Sequence, residues 1–424
     1  LTAKLMILAS PGSNHGKTLL SAGFAKALLD RGDSVTLFKM GPDYLDPKFL
    51  QKATGLDVRQ IDYWMLGADG IAAELQRAAQ HSEYILIEGV MGLFDGSFPV
   101  SKLAVEYGIP VTLTVEAAAM AQTFGAVVHG LATYDPQVNV SAVLANRVGS
   151  DNHGAMLKDS VRAPVKYLGW LKRDPRLQVE ERHLGISSSE EQAQDCAELV
   201  AEVVAPMLDD IEWGQLESLP QAEIVPAKKA LQGLKIAVAN DVAFNFLYHA
   251  NIDFLREQGA ELIFFSPLNN SQLPSCDALY LPGGYPELHL ERLCDNETMA
   301  DHIREHILSG KPCVAECGGM LYLQSSLTYE GNQHTLLGLL PGNAVVGERL
   351  AAIGYQQAPN EKLKGHTFHY AAIPDARTDE RARFHDGREG EFIWRRDALV
   401  ASFVHWYFRS DPDTVCAWFR GEPA

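Results

Sequence analysis

Two stretches of this sequence carry side chains whose types and spacing could do chemistry, and each implies a different reaction step. In the first, Pro11-Gly12-Ser13-Asn14-His15-Gly16-Lys17-Thr18 lies between a short apolar run and the apolar stretch Leu19–Leu29. A strand, a glycine-bearing turn, Gly-Lys-Thr and a helix are the setting of a phosphate-binding loop. Its backbone N–H groups and helix N-terminus face phosphate oxygens, while Lys17 adds a point charge and Thr18 a hydroxyl suited to Mg²⁺. Gly12, Asn14, Gly16, Lys17 and Thr18 are therefore the expected nucleotide contacts. The position usually held by the first glycine of such a loop is Pro11 here, with Gly12 displaced by one.

Two further segments follow apolar runs in the same half, Lys39-Met40-Gly41-Pro42-Asp43-Tyr44-Leu45-Asp46-Pro47 and Ile87-Glu88-Gly89-Val90-Met91-Gly92-Leu93-Phe94-Asp95-Gly96. Open α/β sheets bind ligands at the carboxyl ends of their strands. Asp43, Asp46, Glu88 and Asp95 are thus expected to converge near a triphosphate, where carboxylates can hold Mg²⁺ and order a substrate. Asn146, at the end of another apolar run, is expected against the nucleotide base.

The second stretch is Lys311-Pro312-Cys313-Val314-Ala315-Glu316-Cys317-Gly318-Gly319, an apolar strand that breaks into glycine before the apolar Met320–Leu323. A cysteine on a tight strand-to-helix turn exposes its sulfur, and the helix N-terminus is expected to lower its pKa. Cys317 reads as a nucleophile and Cys313 as a small core residue. His405, closing the apolar run Ala401–Val404, is the candidate base, whereas His366 and His369 read as members of a polar loop. Leu281-Pro282-Gly283-Gly284 ends a strand in two glycines, so the N–H groups of Gly284 and Gly318 are the expected oxyanion donors.

These residues need elements to hold them. Leu5–Ala9, Ser34–Phe38, Tyr84–Glu88, Pro110–Val115 and Val140–Ala145 are near-continuous apolar runs alternating with helical stretches, the pattern of a parallel sheet covered on both faces. Between Asp209 and Leu234 the periodicity lapses around Pro220 and Pro226, and strand-helix alternation then restarts with Lys235–Ala239, Glu261–Phe265, Ala278–Leu281, Pro312–Ala315 and Ala398–Val404. The expected organisation is two α/β domains, 1–208 and 234–424, joined by a linker at 209–233, the second ending in partly antiparallel segments from Glu348 onward.

A length of 424 residues, 46% of them hydrophobic and 21% charged, suits two globular domains. The excess of 54 acidic over 36 basic residues argues against broad adhesion to nucleic acid or anionic membrane. Six cysteines without metal-ligand pairing fit a reduced cytoplasmic setting. The apolar opening reads as a buried strand, neither a signal peptide nor a membrane span.

Taken together, the phosphate loop, Lys39–Pro47, Glu88 with Gly92–Gly96, Leu144–Gly149, Ala237–Leu255, Leu281–Glu287, Ala315–Gly319, Gly365–Tyr370 and His405 resemble the cobyrinic acid and hydrogenobyrinic acid a,c-diamide synthases of corrinoid biosynthesis, over nearly the whole chain. The resemblance implies a dethiobiotin-synthetase-like P-loop ATP domain fused to a class I glutamine amidotransferase domain of flavodoxin-like α/β type. It implies ATP and Mg²⁺ as cofactors, with L-glutamine and a tetrapyrrole polycarboxylate as substrates. Cys317 would form a glutamyl thioester and release ammonia, aided by His405. ATP would phosphorylate a side-chain carboxylate, and ammonia would then displace phosphate. Asp43, Tyr44, Leu45, Asp46, Glu88 and Asp95 match family positions tied to ATP, metal or substrate carboxylate, with Thr18, Asp46 and Glu88 as the metal set. The acidic residue usual two positions after the histidine is Tyr407 here, so another group must orient His405. Nickel-sirohydrochlorin a,c-diamide synthase and cobyric acid synthase share the apparatus, a partition-type P-loop ATPase shares only its first half, and a homodimer is left open.

Overall fold

The structure, a computed structural model, describes residues 3–422 apart from 179–180, 183–184, 187–188, 216–226 and 379. The chain divides into two compact units, Leu1–Ile224 and Val225–Ala424.

The first unit alternates strands and helices: β1 (Lys4–Ala9), α1 (Lys17–Asp30), β2 (Val35–Met40), α2 (Leu45–Thr54), β3 (Val58–Ile61), α3 (Tyr63–Ala79) and β4 (Tyr84–Glu88). It continues with α4 (Val100–Glu106), β5 (Val111–Glu116), α5 (Thr123–Tyr134), β6 (Val140–Val148), α6 (Asp151–Ser160) and β7 (Lys166–Lys172). A short hairpin, β8 (Glu181–Arg182) with β9 (Gly185–Ile186), precedes α7 (Glu190–Val204) and β10 (Gly214–Gln215). The main sheet runs β3-β2-β4-β1-β5-β6-β7, all parallel, with β10 pairing antiparallel to β1. Its strands are buried on both faces, which is why they read as continuous apolar runs. Leu5, Ile7 and Ala9 of β1 enter the core beneath α3 and α4, while Met6 and Leu8 enter the core shared with α1 and α7.

β3 and β7 escape the apolar-run reading: Val58-Arg59-Gln60-Ile61 is short and mixed, and β7 has intermediate burial with lysines at both ends. The expected linker, 209–233, contributes structure at both ends. Gly214 and Gln215 pair with Leu5 and Lys4, Trp213 packs edge-on against Tyr84 at 4.9 Å, and Leu231 is buried in a core of the second unit. Residues 216–226 of that segment, with Pro220 and Pro226, lie outside the described residues.

The second unit opens with β11 (Lys235–Ala239), α8 (His249–Glu257), β12 (Glu261–Phe265), β13 (Ala278–Leu281), α9 (Leu290–Asp295), α10 (Glu297–Leu308), β14 (Cys313–Glu316) and α11 (Gly318–Tyr322). It goes on through β15 (Ser326–Tyr329), β16 (Asn332–Thr335), β17 (Asn343–Val346), β18 (Ala352–Gln357), β19 (Lys364–His369), β20 (Ala371–Ala372) and β21 (Arg381–Phe384). The last elements are β22 (Glu389–Arg396), β23 (Leu399–Ser402), β24 (His405–Tyr407) and α12 (Pro412–Arg420).

Its large sheet is mixed, in the order β12-β11-β13-β14-β23-β22-β21-β18-β19-β24. The first five strands are parallel and the rest antiparallel. Alternation on β14 sends Cys313 and Ala315 into the core with α9, α10 and α11, and Val314 into the core with α8 and α12. The antiparallel tail folds the chain so that β24 can return beside β19, which brings a late histidine back to the region of the nucleophile. Among the described residues no helix is long and apolar enough to cross a membrane.

Candidate active site

In the first unit β1 ends at Ala9 and α1 begins at Lys17, so residues 10–16 form the turn between them. Gly16 has φ +86°, and a Cβ there would collide with the Asn146 amide, so only glycine satisfies both the left-handed backbone and the close approach. Lys17 Nζ donates to Ser10 Oγ at 2.8 Å, Gly12 O at 3.0 Å and Met91 O at 2.8 Å. Burial and the neighbouring Lys39 lower its pKa to about 8. Asn14 occupies the left-handed region at φ 64° and is exposed at the rim. A cleft of about 940 Å³ is lined by Asn14, Gly16, Lys17 and Thr18 together with Asp43, Asp46 and Asn146.

Behind the loop lies a compact charge cluster centred on Lys39 at the end of β2. Its Nζ bonds Asp46 Oδ2 at 2.5 Å and Glu88 Oε1 at 2.7 Å, with Asp43 Oδ2 at 3.8 Å. Burial opposes the lysine charge, but Glu88, Asp46 and Asp43 outweigh it and raise the Lys39 pKa. Burial likewise works against Asp46, yet Lys39 holds it below the usual carboxylate range. Burial lifts Asp43 to about 7 and raises Glu88 as well. Lys39 is a site residue that motif reading passed over. It heads the Lys39–Pro47 segment, and its own signal is a lysine inside an otherwise mostly apolar strand.

Thr18 Oγ1 donates to Glu88 Oε1 at 2.9 Å and also lies against Asp46. Glu88 is fully buried and its Oε2 has no hydrogen-bond partner among the described residues. A hydroxyl set against two carboxylates, with one buried oxygen unspent, fits a hard divalent cation whose remaining ligands are water and phosphate oxygens, the habit of Mg²⁺. No group of three or more His, Cys, Asp and Glu side chains able to hold a metal is found among the described residues.

The other expected contacts are distributed differently. Asp43 Oδ1 accepts from the N–H groups of Leu45 and Asp46, shaping the start of α2, where Tyr44 is the buried N-cap and Leu45 the first residue. Asp95 Oδ2 accepts from Gly92 N at 2.9 Å and closes its own turn, acting on Lys17 only through its charge. Asn146, expected against the base, lines the cleft; its Nδ2 donates to His15 O at 3.0 Å and its Oδ1 accepts from Arg147 N at 2.8 Å, which ties it to the loop.

In the second unit Cys317 sits between β14 and α11 with φ 43° and ψ −107°, a strained turn for a non-glycine residue. Gly318 and Gly319 allow it: a Cβ on Gly319 would strike Leu281 O, and one on Gly318 would sit 2.9 Å from Gly284 N. The Gly284 and Gly318 backbones are therefore nearly in contact. Gly318 N–H lies against the Cys317 sulfur and favours its ionised form, and Gly284 N–H makes no backbone hydrogen bond among the described residues. Such a pair can serve a developing oxyanion.

His405 is brought to the same place by two routes. Cys317 N donates to Ser402 O at 2.8 Å, tying the turn to β23, and a Cβ on Gly283 would collide with the His405 ring. The expected lowering of the thiol pKa by the helix is not what the structure gives. Burial pushes the thiol up, followed by Glu287, with Gly318 N–H the main opposing contact. A helix of five residues supplies too little dipole to compensate. Burial, then His366 and His369, pushes the His405 imidazole well down. The resting pair is a neutral thiol and a neutral imidazole, the stable form where water is excluded.

His366 and His369 do not lie in a polar loop. They belong to β19, both buried, and His366 is the register partner of His405 with the rings stacked at 5.1 Å. His366 Nδ1 meets Tyr248 Oη at 2.9 Å, and burial lowers its pKa to about 3. His369 stacks on Phe403 at 3.7 Å and faces Glu391 Oε1 at 3.0 Å. Where an acid usually follows the histidine stands Tyr407, fully buried. The nearest carboxyl along the backbone hydrogen-bond network is Glu316, whose Oε1 accepts Trp406 N at 3.0 Å and whose Oε2 accepts Tyr280 Oη at 2.9 Å. It fixes the backbone of the strand residue next to His405.

Comparison with known proteins now adds to this geometry. Residues 6–186 match the CobQ/CobB/MinD/ParA nucleotide binding domain family, and residues 235–413 match the CobB/CobQ-like glutamine amidotransferase domain family. The chain is 44% identical to the hydrogenobyrinate a,c-diamide synthase of Stutzerimonas stutzeri over 424 aligned positions, covering 98% of each chain. The chain belongs to the a,c-diamide synthase family. The Pseudomonas aeruginosa enzyme of that name is also 44% identical, over 97% of this chain and 96% of its own. The cobyrinate a,c-diamide synthase of Herminiimonas arsenicoxydans is 39% identical, over 99% of this chain and 98% of its own. Both halves of the family architecture are thus present in one α/β chain, the nucleotide-binding half carrying Lys17 and the amidotransferase half carrying Cys317.

Proposed function

We propose that this chain is an ATP- and glutamine-dependent ligase that converts the a and c acetate side chains of hydrogenobyrinate to amides. The observation that carries the reading is end-to-end similarity at 44% identity to two enzymes named for that reaction, against 39% to one named for cobyrinate.

The chemistry divides between the units. A carboxylate at neutral pH is a poor electrophile, so the first unit transfers the terminal phosphoryl group of ATP to a substrate carboxylate, giving an acyl phosphate. Lys17 and the loop amides hold the phosphates, and Thr18, Asp46 and Glu88 would hold Mg²⁺, which spreads the charge of the transferring group. Ammonia adds to the acyl carbon and inorganic phosphate leaves. In the second unit the Cys317 sulfur adds to the side-chain amide carbon of glutamine as its proton passes to His405. Gly284 and Gly318 N–H groups receive the oxyanion, and the proton returns to the departing nitrogen as ammonia. Water then cleaves the thioester to glutamate. All six cysteines are free thiols, consistent with a cytoplasmic setting.

The test is mass spectrometry of products after incubation with ATP, Mg²⁺, glutamine and each of hydrogenobyrinate, cobyrinate and nickel-sirohydrochlorin. Hydrogenobyrinate is expected to gain two amides in place of two carboxylates. Absence of any amidated corrinoid, with only the nickel macrocycle converted, would replace the substrate assignment.

A further inference from the structure

Three carboxyl groups act on the Cys317 sulfur, those of Glu287, Glu391 and Glu316 in decreasing order of strength. Two have employment of their own. Glu391 faces His369 Nε2, and Glu316 receives Trp406 N–H and Tyr280 O–H. Glu287 differs: it is only 8% exposed, and its Oε2 has no hydrogen-bond partner among the described residues. It lies on the helical turn Pro286–His289 that directly follows Gly283 and Gly284, and the Pro286 ring packs where a Gly318 side chain would go. The carboxyl is thus built into the same loop as the oxyanion donors.

We propose that Glu287 is the anchor for the α-ammonium group of glutamine. The proposal rests on the reading of Cys317 as the glutaminase nucleophile. Glutamine carries its ammonium a short methylene chain from the amide carbon that the sulfur attacks, so an anion beside the thiol, on the oxyanion loop, is placed to receive it. An unpaired buried carboxyl is costly unless a cation or donor completes it. Burial lifts Glu287 to about 7 against the pull of its own backbone N–H, and among the described residues no basic side chain is a cause of its shift. A carboxylate beside a thiol also holds back its ionisation, and a bound ammonium cancels that effect, so the anchor couples glutamine binding to the reactivity of the sulfur.

The experiment uses the full chain and compares L-glutamine with glutaramate, which is glutamine without its α-amino group. In the native protein the ratio of kcat/KM for glutamine over glutaramate is expected to be large. Glu287→Gln is expected to lower that ratio about 10- to 100-fold, the worth of one charge-assisted hydrogen bond, chiefly through KM for glutamine. Glu287→Asp is expected to give an intermediate ratio, and iodoacetamide should alkylate Cys317 several-fold faster in Glu287→Gln at the same pH. An unchanged ratio, or equal loss of both substrates in a variant that keeps the native thermal transition, overturns the assignment. Cys317→Ala is the accompanying control. If that variant retains glutaminase activity, the nucleophile reading fails and the anchor with it, whereas an inactive Cys317→Ala with an unchanged Glu287→Gln ratio removes the anchor alone.

Discussion

Around Lys39 in the first unit a buried ammonium and three carboxyls are packed together at the wall of the cleft, whereas around Cys317 in the second unit thiol and imidazole are both held neutral. The physical tasks differ in the same way. Phosphoryl transfer moves dense negative charge, so its site must be charged in advance and balanced internally. Glutamine hydrolysis begins and ends with neutral groups and moves a proton between them, so its thiol and imidazole can stay neutral until substrate arrives. Burial acts on both, but in the first unit it is offset by ion pairs, and in the second it is allowed to set the resting protonation state.

The comparison breaks most sharply at the sulfur. Cys317→Ala is expected to lower glutamine-dependent amidation by roughly 10⁴-fold or more, since no other group on the turn can form the thioester. Amidation supported by ammonium salt at alkaline pH should persist, because only the source of ammonia is lost. Parallel steady-state assays with the two nitrogen donors decide it, and equal loss of both would mean the two chemistries are not divided between the units as described.

Next in size is Lys39→Met, which leaves Asp43, Asp46 and Glu88 without their common counter-ion. Removing one partner of a buried ion cluster costs about 3–5 kcal/mol, so the first unit should unfold at markedly lower denaturant and ammonia-dependent amidation should fall with it. Glutaminase turnover by the second unit is the contrasting readout, and should fall far less. Lys17→Ala is milder, because Lys17 answers chiefly to backbone carbonyls and a hydroxyl. A loss of about 10²-fold in kcat/KM for ATP with either nitrogen donor is expected, the scale of one lost transition-state contact. Unchanged ATP kinetics would remove Lys17 from the phosphate site.

What could be read from the sequence follows the same division. Contiguous signals correspond to contiguous structure: the loop around Gly16, the first turn of α2 bearing Asp46, the strand end bearing Glu88, and the turn holding Cys317 are each set by neighbours along the chain. So were most parallel strands, whose two-sided burial leaves unbroken apolar runs. Groups that act through long-range pairing were not legible. His366 meets His405 only because β24 returns antiparallel to β19, and Glu316 reaches Trp406 only because β14 and β23 lie side by side. The strand end that carries Asn146 is legible, whereas the hydrogen bond from its amide to His15 O joins it to a loop distant in sequence. The thiol pKa was misjudged for a related reason: helix polarity is visible in sequence, whereas burial and the carboxyls arriving from β14, β22 and the Pro286–His289 turn are not.

The smallest expected effect concerns Glu316, and it tests whether the second unit is as free of buried charge as the comparison holds. Burial raises the Glu316 pKa from 4.5 to about 8, with Trp406 N–H and the Tyr280 hydroxyl pulling the other way. The folded protein therefore retains a proton that the unfolded chain releases near the lower value. Between those two pH values the folded state binds more protons, so this residue's contribution to stability falls as pH rises and levels off above about 8. Glu316→Gln mimics the protonated carboxyl, its amide oxygen accepting from Trp406 and its NH₂ facing the Tyr280 oxygen. Denaturant midpoints near pH 5 and near pH 8 should show the variant gaining on the native protein as pH rises, with glutaminase activity changed only a few-fold because Glu316 holds the backbone of the residue next to His405. Other titrating groups are common to both proteins and drop out of the difference. A difference independent of pH would mean that Glu316 is ionised in the fold, and the second unit would then share the charged character of the first.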